Sequence, residues 1–227
     1  MRFENRQDAG RRLADALRHY RNAHPVVLGV PRGGVPVASE VAARLAAPLD
    51  VVIVRKLGAP AQPELAIGAL VDGDHPEEVL NPDVIALAQV PRSYVEREAA
   101  RQLVDIRRRE ALYRPGSPPL QLRGRTVIVV DDGIATGASI RAALRAVRRA
   151  APKRLVLAVP VAPPDTVAAL RGEVDDLVCL HSPDDFAAVG QFYDDFRQTT
   201  DDDVIRLLSM ARRSAPSPPA DAAPPGR

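Results

Sequence analysis

The chain contains no tryptophan, and aromatic residues make up only 4% of its 227 residues. A core of ordinary size must therefore be built from Val, Leu, Ala and Ile, the composition of a parallel sheet covered by helices on both faces. Cysteine is equally scarce. The single Cys179 cannot form an internal disulfide, which fits a reducing compartment. It stands in the apolar run Leu177-Val178-Cys179-Leu180 and reads as a buried strand residue. Lysine is almost missing as well: of 31 basic residues only Lys56 and Lys153 are lysine, and 29 acidic residues leave a formal charge of +2. That balance argues against a dedicated nucleic-acid surface. No apolar stretch approaches the roughly 18 residues of a membrane span. The opening Met1-Arg2-Phe3-Glu4-Asn5-Arg6 has no apolar signal core, so the sequence reads as soluble and cytoplasmic.

What is present is an alternation of short apolar runs and helical patterns. Leu13, Leu17 and Tyr20 mark an amphipathic opening helix. Strands are expected over 26–30, 51–54, 126–130, 155–159 and 177–180, and helices over 35–45, 139–149, 164–171 and 202–210. Residues 65–71 and 79–80 read as a hairpin or flap. Ser93-Tyr94-Val95-Glu96 has the form of a capping box for a long charged helix reaching Leu112. That helix carries mixed charges, the pattern of a solvated face rather than of nucleic-acid binding. Repeated strand–helix alternation predicts an α/β fold with a mostly parallel central sheet flanked by helices and a small hood or flap. Residues 1–213 are expected to form this domain, and the Pro- and Ala-rich residues 214–227 a disordered tail.

The most informative stretch is Val127-Ile128-Val129-Val130-Asp131-Asp132-Gly133-Ile134-Ala135-Thr136-Gly137-Ala138-Ser139. A buried strand ends in two carboxylates, then a Gly-containing turn, then hydroxyl residues opening a helix. Open α/β sheets bind ligands at this carboxyl end. The turn and the helix start offer backbone N–H groups and a positive dipole end, suited to a phosphate. Two carboxylates beside a phosphate need partners of their own, which ribose hydroxyls and a divalent cation would supply. Phosphate, diol and cation together describe a phosphorylated ribose.

This stretch resembles the phosphoribosyl pyrophosphate signature of type I phosphoribosyltransferases. More closely, the chain is similar to a bacterial group of such proteins with no assigned base. The resemblance implies the type I fold, often dimeric, with magnesium and phosphoribosyl pyrophosphate as partners and a nitrogenous base as acceptor. It gives Asp131 and Asp132 the ribose and, through it, the metal, and Gly133, Ile134, Ala135, Thr136, Gly137, Ala138 and Ser139 the phosphate. The turn Gly29-Val30-Pro31-Arg32-Gly33-Gly34-Val35-Pro36 then resembles the pyrophosphate loop, often built across a cis peptide, with Arg32, Gly33 and Gly34 in that role. Lys56, in Arg55-Lys56-Leu57-Gly58 at the expected carboxyl end of the second strand, would assist as a compact point charge. Residues 185–196 resemble the base-binding end of hypoxanthine–guanine enzymes. Phe186 would stack on the base, Val189 or Ala188 would offer a carbonyl, and Asp194 would serve magnesium.

The pattern departs at Ala135, where hypoxanthine–guanine enzymes carry an aspartate, so a 6-oxopurine acceptor is disfavoured. The expected hood loop is 113–119, stiffened by Pro115, Pro118 and Pro119, with Arg107 to Arg109 and Arg114 in reach of phosphate. Two other readings remain open: a non-catalytic sensor that kept the pocket, and an RNA or DNA binder using the arginine-rich helices.

Overall fold

An apolar run without polar alternation, such as Val127-Ile128-Val129-Val130, is stable as a strand only where both of its faces are covered. The computed structural model describes residues 1–60, 62, 65–73 and 76–214. The chain opens with α1 (Arg6–Ala16), then β1 (Val26–Gly29), α2 (Gly34–Leu45) and β2 (Leu49–Val51). Next come β3 (Val54–Gly58), β4 (Ala66–Val71) and β5 (Glu77–Leu80), followed by α3 (Pro82–Leu87) and α4 (Arg92–Tyr113). Alternation resumes with β6 (Thr126–Val130), α5 (Ala138–Arg149), β7 (Arg154–Val161), α6 (Pro164–Arg171) and β8 (Asp176–His181). The last described element is α7 (Asp201–Ser214); the expected tail lies beyond it, outside the described residues.

Five strands form one parallel sheet in the order β2-β1-β6-β7-β8. Successive side chains of a strand point to opposite faces. Accordingly Ile128 and Val130 pack with Leu13, Leu17, Val41 and Leu45 of one helical layer, whereas Val127 and Val129 pack with Ile140, Leu144 and Leu170 of the other. From β1 the chain crosses to β2 on one side, and from β6 it proceeds to β7 and β8 on the other. The boundary between β1 and β6 is the topological switch point of the sheet, and the turns that follow those two strands open side by side.

A second sheet holds β3, β4 and β5, all antiparallel. It bears out the hairpin or flap expected for 65–71 and 79–80. It also corrects two boundaries. The apolar run 51–54 is not one strand: β2 stops at Val51, and the chain re-enters at Val54 in the smaller sheet. Arg55 and Lys56 therefore lie within β3, not in a loop at the carboxyl end of a parallel strand. The capping box at Ser93 is also absent. Pro91 occupies the N-cap of α4 and Ser93 lies inside the first turn, where the fixed φ of proline (−64°) has already set the entry. Several arginines of α4 are matched by acids: Arg101 pairs with Glu98, and Arg108 and Arg109 converge on Asp105 together with Arg55 of β3. On the α5 side Arg141 and Arg145 meet Glu173, and Arg148 meets Asp175. Such pairing weighs against either helix as a nucleic-acid face. No described helix is long and apolar enough to cross a membrane.

Arg114, expected near a phosphate, is instead a buried strut. Its Nε donates to Asp50 at 2.8 Å, Nη1 to Asp72 at 2.7 Å and Nη2 to the Val51 carbonyl at 2.5 Å. Its side chain is only 6% exposed, so it cannot serve a ligand. Burial pushes the Asp72 carboxyl up to about 6 against the pull of Arg114. Removing Arg114 as Ala leaves two buried carboxylates without their cation, a cost of about 3–5 kcal/mol. The deficit, read in denaturant melts, is expected to be largest at neutral pH. It should shrink as the pH falls toward 6, because the Asp72 carboxyl, pushed still higher once Arg114 no longer pulls it down, takes up a proton that relieves its unpaired charge.

Candidate functional site

Asp131 and Asp132 follow β6 directly and so stand at the carboxyl end of the sheet, beside the switch point. The turn after β1 presses against them. Gly34 N–H donates to the Val30 carbonyl at 3.0 Å, and Val30 N–H donates to the Val130 carbonyl at 2.9 Å. The Pro31–Arg32 peptide is cis. A Cβ on Gly33 would lie 2.1 Å from Asp132 Oδ2, so only glycine allows this approach. Gly33 and Gly34 are thus assembled against the acid pair, although the turn spends the Gly34 amide on its own closure, while the Arg32 guanidinium lies 4.0 Å from Asp201.

The pair is electrostatically loaded. Burial pushes the Asp131 carboxyl well above the usual range, and the neighbouring Asp132 charge pushes it further. Burial raises Asp132 too, while the Arg6 guanidinium pulls it back down. Arg6 Nε donates to Asp132 Oδ2 at 2.7 Å. Tyr193 caps the pair from above, its hydroxyl donating to the Asp132 carbonyl at 2.6 Å, and burial pushes that phenol up. The motif stretch contains neither Arg6 nor Tyr193. Nothing local in the sequence marks Arg6; Tyr193 is signalled only by its place in the base-end segment.

The loop from Gly133 to Gly137 leads into α5. Ile134 N–H donates to the Val161 carbonyl at 3.0 Å, and Thr166 Oγ1 donates to the Ala135 carbonyl at 2.7 Å. Gly137 occupies the N-cap at φ +77°, a left-handed conformation that disfavours a side chain. Thr136, Ala138 and Ser139 are exposed around the start of α5. Its first N–H groups and dipole end face outward there, as an anion site requires. Lys56 lines a cavity of about 210 Å³ together with Ser139, Arg141 and Arg145. The structure thus brings Lys56 to the start of α5, on the phosphate-loop side.

The base-end segment folds back over the same edge. Val189 packs on Gly133, where a Cβ would lie 2.5 Å from Val189 Cγ1. Phe186 stacks on Phe192 with ring centroids 5.4 Å apart. Gln191, which sequence reading passed over, locks this turn by accepting from the Ala187 and Ala188 amides and donating to the Asp185 carbonyl. Asp194 pairs with Arg2 at 2.9 Å and is 61% exposed. Among the described residues no three His, Cys, Asp or Glu side chains gather as a metal cluster. A separate polar chamber of about 360 Å³ lies beyond Arg6, lined by Gln7, Arg197, Gln198 and Thr199. Cys179 is half-buried in β8, and burial raises its thiol.

The contact at Gly33 is testable without any ligand. Gly33→Ala should force the turn and Asp132 apart, an overpacking cost of about 1–3 kcal/mol visible in a denaturant melt. An unchanged melt would mean that the turn has slack the geometry does not show.

Residues 3–197 match the family model described as phosphoribosyl transferase domain. Proteins provisionally named phosphoribosyl transferases in two strains of Mycobacterium tuberculosis are 47% identical over 211 residues, or 93% of this chain. The chain spans about half the length of those relatives, 47% of each. A solved structure from Thermus thermophilus (the protein TT1426) is 50% identical and superposes with a TM-score of 0.81, covering 92% of this chain and 98% of that one. The chain belongs to the phosphoribosyl transferase domain family.

Proposed function

We propose that this domain transfers a 5-phosphoribosyl group from phosphoribosyl pyrophosphate to a nitrogenous base, with magnesium, releasing pyrophosphate. The observation that carries the reading is the contact of the 31–34 turn with Asp131 and Asp132. In this reading it sets two anion-binding turns on either side of one acid pair. In this reading the 133–139 loop and the start of α5 hold the 5-phosphate, the 32–34 turn holds pyrophosphate, and Asp131 and Asp132 accept from the ribose hydroxyls between them. Lys56 adds a point charge from β3, and Phe186 and Val189 border the acceptor.

The donor set fits magnesium held mainly by the ligand. Magnesium is usually bound through one or two carboxylates plus substrate phosphates, and no all-protein cage is formed among the described residues. Asp131 and Asp132 would act on it through the ribose. Asp194 would join only by exchanging Arg2, an exposed pair of small worth. When bound, the metal would neutralise charge on the departing pyrophosphate. The residues themselves form no covalent bond: they orient the sugar and stabilise charge as the bond at C1 opens. Ala135 has no proton acceptor to offer an acceptor ring, which favours bases that need none there. By analogy with the family, the protein acts as a homodimer in the cytoplasm.

Replacing both Asp131 and Asp132 by Asn is expected to weaken phosphoribosyl pyrophosphate binding in magnesium by more than about tenfold, roughly 1.4 kcal/mol. Unchanged affinity would remove the acid pair from the ribose. Lys56→Ala separates two roles: greater loss for pyrophosphate than for ribose 5-phosphate supports the leaving-group role. Equal loss would argue against that role, and a greater loss for ribose 5-phosphate would tie Lys56 to the phosphate at α5.

A further inference from the structure

The acid pair is served by a residue 126 positions upstream, outside every motif in the sequence. Arg6 begins α1, and its contact with Asp132 is sheltered, the two side chains being 11% and 13% exposed. Two more contacts fix its guanidinium. Nη1 donates to the Arg197 carbonyl at 2.7 Å, and Cζ lies 4.0 Å from the centroid of the Phe196 ring. Planarity suits arginine to this combination of carboxylate, carbonyl and aromatic face, which a lysine cannot reproduce.

The segment before Arg6 is docked as firmly. Phe3 is fully buried and bridges to Tyr193 in parallel. Phe3 N–H donates to the Phe192 carbonyl, while the Asp194 and Asp195 amides donate to the Phe3 and Glu4 carbonyls, each at 2.9 Å. Asn5 then caps α1 by accepting from Asp8 N–H at 2.9 Å. A buried anchor, a bridge and a cap thus deliver one guanidinium to one carboxylate oxygen.

We propose that Arg6 is a positioning residue of the phosphoribosyl site, holding the Asp132 carboxylate in one orientation so that ribose hydroxyls meet a fixed acceptor. The inference rests on the phosphoribosyl reading above. Asp132 Oδ2 is boxed between Arg6 and the backbone of Gly33, which leaves that carboxylate little rotational freedom. This restraint acts on the acceptor of the diol and not on pyrophosphate, which sets the expected selectivity.

The test is calorimetric titration of the full chain with ribose 5-phosphate and, separately, with pyrophosphate, each in magnesium. Arg6→Gln is expected to weaken ribose 5-phosphate binding by about tenfold or more while changing pyrophosphate binding by less than about twofold. Arg6→Lys should restore part of that loss, because charge returns without the planar contacts. Phe196→Leu removes the stacking platform and keeps the charge, and should produce a smaller loss with the same selectivity. It carries the test alone should Arg6→Gln not fold. Unchanged ribose 5-phosphate binding in these variants, or equal loss for both ligands, would overturn the proposal and leave Arg6 as a strap. Failure of the unsubstituted protein to bind ribose 5-phosphate would overturn the phosphoribosyl reading itself, and the proposal with it.

Discussion

The contact between Gly33 and Asp132 is the constraint on which the site is built. It exists because β1 and β6 are neighbours in the parallel sheet while their onward connections run in opposite directions. Two turns are thereby left facing each other at one sheet edge, with no helix crossing between them. Glycine at 33 lets them touch, since any side chain there would collide with a carboxylate oxygen. Everything else at this edge is arranged around that contact: Tyr193 above it, Arg6 at its side, Val189 over the loop that follows.

Such closeness concentrates charge. Two adjacent acids, largely shielded from water, are expensive to keep ionised, and burial raises both. The protein answers with guanidinium groups brought from far along the chain. Arg6 reaches Asp132 from α1, and Arg114 reaches Asp50 and Asp72 from the end of α4. The second strut ties β2 to the turn beyond β4, and so fixes the smaller sheet that carries Lys56 over the start of α5. Arginine suits both positions because its planar fork makes several directed hydrogen bonds at once and stays charged when buried.

The central strands were legible in the sequence because they are covered on both faces, which makes composition alone a sufficient mark. Residues 131–139 were legible as a candidate site because their chemistry is contiguous: acids, turn and helix start follow one another along the chain. The break after Val51 was not legible. Val51-Val52-Ile53-Val54 is uniformly apolar, with no Gly or Pro to punctuate it, and the smaller sheet recruits Val54 through pairing with Val71. Arg114 read as a ligand arginine because nothing local reveals that Asp50 and Asp72 converge on it. Arg6 was invisible for the same reason. Its role depends on the return of residues 192–197 to the N-terminus, a long-range contact that no pattern of spacing encodes. Asp194, by contrast, was noticed for its motif position, and the structure gives it Arg2 as a counter-ion.

The most direct measurement is titration of the unsubstituted protein with phosphoribosyl pyrophosphate, with and without magnesium, followed by an assay of pyrophosphate release over a panel of bases. The expected result is saturable binding that strengthens with magnesium, and release of pyrophosphate with at least one base. Binding without release from any base would support a sensor built on the same pocket. Absence of binding in either condition would contradict the assignment of the acid pair and its two turns to a phosphorylated ribose.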